Sequence, residues 1–306
     1  MLGLTFDYES CVRASETAAW QLDEVMPPGT RLDFGRPFLP RGLAAHGELP
    51  FLGDGEGRTL NQITGNAYLN LFAFVEEYIL ATVLRHAHAE SFGDRDAVRA
   101  LVRFADEEAK HQKLFHRFGD AFRRDFAVPT EVLGSASEFA RAIMDRCPIA
   151  VMMMTLHLEI MTHAHYIECV RDDTEIDPFF SKLLRVHWME ESQHARIDAL
   201  ELDKMLDAAS REQIEAAFAD YLELNAAFDG LLRSQAEMDA RTLAHAAGRP
   251  FASAEQDAIV RAQHAGYRRT FLTYGMTNPM FARHLETMWP EGARRVSARA
   301  VELSPA

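Results

Sequence analysis

Two short segments of the sequence place a carboxylate and an imidazole at a spacing that can chelate a metal ion. FADEEAKHQKLFH has Glu108 three residues before His111, and HWMEESQHARID has Glu191 three residues before His194. Residues three apart in a helix project from the same face, so each pair can present both side chains to one point. One such pair is common on helix surfaces, whereas two pairs on alternate helices of a bundle predict a metal site.

Further carboxylates lie inside two apolar stretches. FVEEYI contains Glu76 and Glu77, and TLHLEIMTHAHY contains Glu159. A carboxylate among Leu, Ile, Met and Phe costs free energy unless it is paired or binds a cation. The gap from Glu77 to Glu108 is 31 residues and that from Glu159 to Glu191 is 32, as two similar helical hairpins require. We choose Glu77 as the first ligand, by analogy with the second glutamate of each Glu-Glu pair above, and Glu76 is the alternative.

A third histidine lies on the same helix face as the second motif. His187 precedes the glutamate of that motif by four residues and its histidine by seven. Spacing alone is equally consistent with a metal ligand and with a buried histidine of another role. His163, four residues after Glu159, is the rival for a seventh ligand. Asp198, four residues after His194, could accept the outer N–H of a ligating imidazole.

Long helices are predicted to position these residues. Apolar residues at helical spacing, bounded by Gly and Pro breakers, predict four helices, at about 59–91, 95–126, 148–171 and 178–208. The short links make successive helices of each hairpin antiparallel, as in a bundle. Further helices are predicted at about 211–246, 253–275 and 279–288, and no β alternation of useful length is present.

The domain organisation follows from the same pattern. Residues 27–57 concentrate Pro and Gly and are read as irregular. We predict a single domain over 1–306, with an N-terminal segment at 1–57, a di-metal bundle at 58–210 and C-terminal helices at 211–306. The last part is expected to pack on the bundle, because the link at Gly248–Pro250 is too short for a flexible tether.

Composition excludes several classes of protein. The formal net charge is -14, with 46 acidic and 32 basic residues, which argues against binding of nucleic acid. Three scattered cysteines, Cys11, Cys147 and Cys169, give no disulfide framework, zinc ribbon or iron-sulfur motif. No continuous apolar run of about 18 residues is present, so no membrane-spanning segment is expected. The expected location is the cytoplasm.

The order Glu, Glu-x-x-His, Glu, Glu-x-x-His is the ligand pattern of ferritin-like di-iron and di-manganese proteins. It predicts an all-α, ferritin-like four-helix bundle, with an irregular N-terminal lead-in and additional C-terminal helices. Imidazole and carboxylate ligands suit iron, and manganese is a realistic competitor at one or both positions because ligand type is only weakly selective.

The ligand set also resembles that of the non-haem di-iron N-oxygenases typified by p-aminobenzoate N-oxygenase, over about residues 60–210. That family has four glutamate and three histidine ligands, and its H-x-x-x-E-x-x-H pattern is reproduced by HWMEESQH. The resemblance favours His187 over His163. It implies two iron ions and O2 as co-substrate, with the glutamates as catalytic ligands or bridges. The implied ligands are Glu77, Glu108, His111, Glu159, His187, Glu191 and His194.

The function that follows is a di-iron oxygenase acting on a small organic substrate, for example by N-oxygenation of an amine. The sequence has no dinucleotide-binding glycine motif after a strand and no thiolate cluster, so electrons would come from an external reductase or ferredoxin. The expected oligomeric state is a homodimer. The alternatives are a ferroxidase or iron-handling protein, another ferritin-like di-metal enzyme (peroxidase, desaturase or hydroxylase), and a non-enzymatic bundle with its carboxylates paired to Arg and Lys.

Overall fold

The computed structural model describes residues 5–44 and 49–304, and within these ranges all regular secondary structure is helical. The α-helices are α1 Tyr8–Ala18, α2 Leu22–Val25, α3 Asp54–Ala89, α4 Arg95–Asp125, α5 Ala136–Met144, α6 Pro148–His165, α7 Pro178–Asp207, α8 Arg211–Ala247, α9 Ser253–Arg268, α10 Tyr274–Thr277, α11 Pro279–Met288 and α12 Pro290–Leu303. Two π-helical segments, Tyr166–Val170 and Arg269–Thr273, continue α6 and α9.

Helices α3, α4, α6 and α7 form a four-helix bundle. α3 packs along α4, α6 packs along α7, and α4 meets α7 across the centre. The long connection from α4 to α6 carries α5, which packs on α3. The predicted all-α, ferritin-like four-helix bundle is confirmed.

The breakers seen in the sequence mark the helix ends. The Asp94 side chain caps α4 by accepting from the backbone N–H groups of Asp96 and Ala97, and Asp177 caps α7 by accepting from Phe180 N–H. Pro178 occupies the first turn of α7, where a missing N–H costs nothing. These caps fix where α4 and α7 begin and therefore the depth of their ligands in the bundle.

Helix α3 is the longest of the four bundle helices and contains a long apolar stretch. By length and composition it alone among the described helices could cross a membrane, with a mean hydropathy of 1.4 in its best 18-residue window. In the folded chain, however, 72% of that window is buried inside the molecule. Packing in the interior therefore accounts for its composition, and the absence of a membrane partner stays a prediction.

The described part of the stretch predicted to be irregular, 27–57, contains no helix before α3, which begins at Asp54 rather than near residue 59. The residues that precede this stretch form α1 and α2, which were not predicted from the sequence. α1 begins at Asp7, whose side chain and that of Ser10 form a reciprocal capping box. This helix packs against α4 and α7, so it covers one side of the bundle at the depth of the predicted ligands.

The C-terminal helices pack on the bundle. α8 lies against α3 and α6, and α10 and α11 contact α6. The approach of α10 is close: a Cβ added at Gly275 would lie 1.9 Å from Cδ2 of His157 on α6. These contacts are consistent with one domain, which stays a prediction.

Candidate metal centre

The four bundle helices bring seven carboxylate and imidazole side chains together at the centre of the molecule. They fall into two groups, in each of which the ligand atoms lie within 4.8 Å of one another. One group is Glu76, His111, His187 and Glu191; the other is Glu108, Glu159, Glu191 and His194. All seven residues are buried, and six of them are residues that the sequence predicted.

Glu191 belongs to both groups and lies at the centre of the cluster. Its Oε1 is 3.2 Å from Nδ1 of His111, 3.0 Å from Nε2 of His187 and 3.5 Å from Nδ1 of His194. Nδ1 of His194 is also 3.1 Å from Oε1 of Glu108. This carboxylate is therefore placed to bridge two cations.

The structure places Glu76, and not Glu77, in the cluster. Oε1 of Glu76 lies 3.1 Å from Nε2 of His187, whereas Glu77 is half-buried and outside both groups. The inner face of α3 is the one that carries Phe72 and Val83, both nearly inaccessible, while Leu84 on the Glu77 side is 50% exposed.

A signal for this choice was present in the sequence. Glu76 lies 32 residues before Glu108, and Glu159 lies 32 residues before Glu191. The two gaps are identical with Glu76 and differ by one with Glu77. Since one residue turns a helix by about 100°, that single position decides which side chain faces the cluster.

The structure brings His187, and not His163, into the cluster. His187 is 1% exposed and is enclosed by the rings of Phe72 and Phe115, with centroid distances of 4.9 and 5.0 Å. His163 lies outside both groups, beside Trp188 at a ring distance of 5.8 Å. His187 presents Nε2 to the centre, whereas the other two histidines present Nδ1.

The outer nitrogens of those two histidines make crossed pairs. Nε2 of His111 donates to Oε2 of Glu190 at 2.8 Å, and Nε2 of His194 donates to Oε2 of Glu107 at 2.9 Å. The first glutamate of each Glu-Glu-x-x-His segment thus orients the histidine of the other segment, which leaves Nδ1 of each ring facing inward. The doubled glutamates were the sequence signal for this pairing.

Glu107 therefore takes the role that the sequence analysis gave to Asp198. Asp198 is 1% exposed, and its Oδ2 has no hydrogen-bond partner within the described part of the chain. Burial raises the pKa of Asp198 well above its ordinary value, an effect that the nearby His194 only partly opposes. This shift favours the neutral form of the Asp198 carboxyl, which needs no counter-ion.

Glu190 and Glu107, which orient the two histidines, are paired with different groups. Oε1 of Glu190 lies 2.5 Å from Nζ of Lys110. Glu107 accepts a short hydrogen bond from Ser15 on α1 and lies 3.9 Å from the Arg103 guanidinium. The His111 side of the cluster thus has a direct ion pair, and the His194 side has a hydroxyl with a more distant cation.

The inward-facing atoms fit metal ions. Buried polar atoms almost always have hydrogen-bond partners, yet this cluster contains a set that has none among the residues described. The set is Glu76 Oε2, Glu108 Oε1 and Oε2, His111 Nδ1, Glu159 Oε2, Glu191 Oε1 and His194 Nδ1. Two cations would satisfy all of these atoms and balance the four carboxylates.

Protons compete with metal ions for the atoms of this cluster. Burial raises the pKa of Glu76 to about 7, and the nearby Glu108 raises it as well. Burial lowers the pKa of His111, but the surrounding carboxylates of Glu108, Glu190 and Glu191 outweigh this and set it well above the usual value. Metal binding therefore has to displace protons, and its affinity falls as pH falls.

A cavity of about 620 Å³ lies beside the cluster, between α1, α6, α7 and α11. Ile160 and Ser192 in its wall directly follow Glu159 and Glu191 in the sequence. The other lining residues are Thr5, Phe6, Ser10, His163, Ala195, Arg196, Ala199, Met280 and His284. Five of these nine come from α11, from α1 or from the two residues 5 and 6 that precede α1, and no spacing in the sequence indicated their contact with this face.

A four-helix bundle with two carboxylate-histidine groups that share Glu191 defines the chain as a ferritin-like protein of the di-metal class. The chain belongs to the p-aminobenzoate N-oxygenase AurF family, whose sequence profile matches residues 62–258. It is accordingly an oxidoreductase of the di-iron oxygenase type. No curated protein sequence matches the chain.

Solved structures of R2-like ligand-binding oxidases share the fold. A mutant of such an oxidase with an Fe/Fe cofactor is 15% identical, with 85% of this chain and 91% of that chain covered and a TM-score of 0.50. Another mutant, with a Mn/Fe cofactor, is 12% identical, with 87% and 94% covered and a TM-score of 0.49. At these identities the likeness shows the fold alone.

Proposed function

We propose that this chain oxidises a small organic amine with O2, at a di-iron site in the bundle centre. The observation that carries the proposal is the pair of four-residue groups that share Glu191 and have unpartnered inner atoms. The N-oxygenation is supported by the family that the chain belongs to. The proposed ligands are Glu76, Glu108, His111, Glu159, His187, Glu191 and His194.

The donor set suits iron, with manganese as its competitor. One group offers two histidines and two carboxylates, and the other offers one histidine and three carboxylates, with Glu191 counted in both. Such nitrogen and oxygen donors bind several divalent metals and select only weakly among them. When bound, two iron ions would supply the electron transfer to O2 that the side chains cannot perform.

The protein's own residues would hold the substrate and exclude water. The 620 Å³ cavity is within the range of small-molecule sites. Ile160, Ala195 and Ala199 give it an apolar wall, and Ser192 and His163 add polar groups on the side nearest the ligands. Burial lowers the pKa of His163, and the nearby Arg196 lowers it further, so a neutral imidazole faces the substrate.

The electrons for O2 reduction would come from outside the chain. Cys11, Cys147 and Cys169 are free thiols far apart in sequence, and the sequence has no dinucleotide-binding glycine motif after a strand. A reductase or ferredoxin is the proposed donor. Catalysis in the cytoplasm by a homodimer is part of the same proposal.

Aerobic turnover of an amine panel tests this function. Protein loaded anaerobically with ferrous iron should, with O2 and reductant, convert at least one amine to an oxygenated product detected by mass spectrometry. Glu191→Ala should remove both the bound metal and the product, whereas Glu215→Ala, on the exposed face of α8, should change neither. Isotopic oxygen from O2 should be found in the product.

Two outcomes would contradict the proposal. Native mass measurement of a 24-subunit shell, with ferrous iron oxidised and stored, would indicate iron handling. Protein that is purified and reloaded without binding iron or manganese would indicate a non-catalytic bundle.

A further inference from the structure

Trp20 lies in the link between α1 and α2, next to the cluster. Its ring stacks on that of His111, with centroids 6.0 Å apart and planes inclined by only 11°. Trp20 is 8% exposed and lines a groove of about 670 Å³ on the outer side of α4. An oxidisable indole is therefore in contact with a proposed metal ligand and open to the groove.

Lys110 opposes the oxidation of this indole. Its Nζ lies 4.2 Å from the Trp20 ring centroid. Glu190 holds it in place at 2.5 Å, and the backbone carbonyl of Trp20 lies 3.4 Å from the same Nζ. An ammonium over the ring face is attracted by the neutral indole and repelled by an indole cation, so it makes removal of an electron less favourable.

The indole N–H opposes oxidation in a second way. Nε1 of Trp20 is buried and has no hydrogen-bond acceptor within residues 5–44 and 49–304. An oxidised indole normally relieves its positive charge by releasing this proton to an acceptor. Here the proton has no acceptor in contact, and Lys110 on the ring face cannot take it up because an ammonium is only a donor.

We propose that Lys110 keeps Trp20 reduced while the metal centre holds oxidising equivalents, so that these equivalents reach the substrate. The inference rests on the proposed function. In the suppressed step, Trp20 loses one electron, the oxidised metal centre gains it, and the indole then loses its Nε1 proton to water. The resulting radical adds O2, and one electron and one proton from the external reductant give a stable oxygen adduct of Trp20.

Peptide mass mapping after turnover without organic substrate tests the proposal. Wild type, Lys110→Met and Lys113→Met proteins are loaded with ferrous iron and cycled with O2 and reductant. The fraction of Trp20 that carries added oxygen should be about tenfold higher in Lys110→Met than in the other two proteins. Lys113, one turn further along α4 and exposed, is the matched control. Trp188, stacked on Tyr166 at 4.6 Å, is the internal reference.

Because Lys110→Met leaves Glu190 without its cation, Lys110→Met/Glu190→Gln provides a second variant without an unpaired charge. It should show the same excess oxidation at Trp20. Equal oxidation of Trp20 in wild type and both variants, with O2 consumed by all three, would overturn the proposal.

A metal-free arm separates this proposal from the proposed function. Apoprotein is exposed to a photogenerated ruthenium(III) oxidant, and the loss of Trp20 is followed by mass spectrometry. Faster loss in Lys110→Met than in Lys113→Met supports the role of Lys110 even if loaded protein never consumes O2. Equal rates refute that role whatever the metal centre does.

Discussion

The two adjacent glutamates of each Glu-Glu-x-x-His segment have different roles because they lie about 100° apart around the helix. Glu108 and Glu191 face the cluster, whereas Glu107 and Glu190 reach the outer nitrogen of a histidine on the facing helix. A carboxylate on the outer nitrogen fixes the ring orientation and raises the basicity of the inner one.

At the residue scale, the first prediction separates Glu76 from Glu77. Glu76→Ala should lose the metal ion of the group that contains His111 and His187, because that group then keeps only three ligands. Glu77→Ala, on the neighbouring half-buried position, should bind as much metal as wild type. Elemental analysis after loading checks both, and a normal metal content in Glu76→Ala would contradict the assignment.

The second prediction concerns the crossed pairs. Glu107→Ala and Glu190→Ala should each lower metal affinity by roughly 10- to 100-fold, the usual effect of losing a partner of a ligating histidine. Competition with a chromophoric chelator measures this. Asp106→Ala, an exposed neighbour on the same helix, is the control, and an equal loss there would refute the specific role of the pairs.

Most of the cluster could be predicted from the sequence because metal chemistry imposes types and spacings that are visible in one chain. The orienting role of Glu107 was missed because it depends on which residues of α4 and α7 face each other. The preference for Asp198 followed helix spacing within α7 alone. Pairing between helices has no fixed spacing in sequence, so only the structure supplies it.

At the scale of elements, a buried carboxylate joins three helices. Asp239 on α8 is inaccessible and accepts hydrogen bonds from Tyr267 at 2.5 Å, Gln235 at 2.8 Å and Gln263 at 3.0 Å. Gln263 on α9 also donates to Thr64 on α3 at 2.7 Å. This network attaches the C-terminal helices to the first bundle helix.

The third prediction is a pH dependence of that network. Burial raises the pKa of Asp239 to about 6, against the opposing effect of its three donors. Because the folded chain holds this proton more tightly than the unfolded chain, the contribution of Asp239 to stability is largest below its unfolded pKa and is lost as pH rises to about 6. The loss should be about 3 kcal/mol, at 1.36 kcal/mol for each pKa unit.

Urea unfolding of metal-free protein between pH 4.5 and pH 7 measures this effect. The free energy of unfolding of wild type relative to Asp239→Asn should fall over that range, since the amide does not titrate. Asp257→Asn, on the exposed face of α9, should show a profile parallel to wild type. Parallel profiles for Asp239→Asn and wild type would refute the titration.

The long helices and α11 were predicted from the sequence, whereas α1, α2, α5 and α12 were not. α4, α7 and α11 begin at the predicted residues, because Asp94, Asp177 and Asn278 cap them and Pro follows two of these caps. α2 and α5 are too short to show a clear apolar period, and they are stabilised by packing on the bundle instead. The π-helical continuations of α6 and α9 leave no signature in spacing.

At the scale of the whole molecule, α10 is held against the bundle by a close backbone approach. Gly275 lies over His157, whose Nδ1 pairs with the Tyr221 hydroxyl of α8 at 2.8 Å. Three helices from different parts of the chain thus meet at one buried imidazole.

The fourth prediction uses this contact to test the single-domain organisation. Gly275→Ala should destabilise the whole chain by about 1–3 kcal/mol, because the added methyl group overpacks the contact with His157. Gly230→Ala, where a Cβ meets no atom within 4 Å, should stabilise it by up to about 1 kcal/mol. Urea unfolding should show one transition that shifts as a whole; a separate transition that alone responds to Gly275→Ala would indicate two domains.

The repeated segments EEAKH and EESQH border two different openings of the molecule. Ala109 and Lys110 of the first segment line the groove that holds Trp20, and Ser192 of the second lines the 620 Å³ cavity. The two residues between glutamate and histidine differ between the openings: Lys110 lies over the Trp20 ring in the groove, and Ser192 lines the cavity. Exchanging those dipeptides between the segments should therefore exchange the ammonium and the small hydroxyl between the two openings.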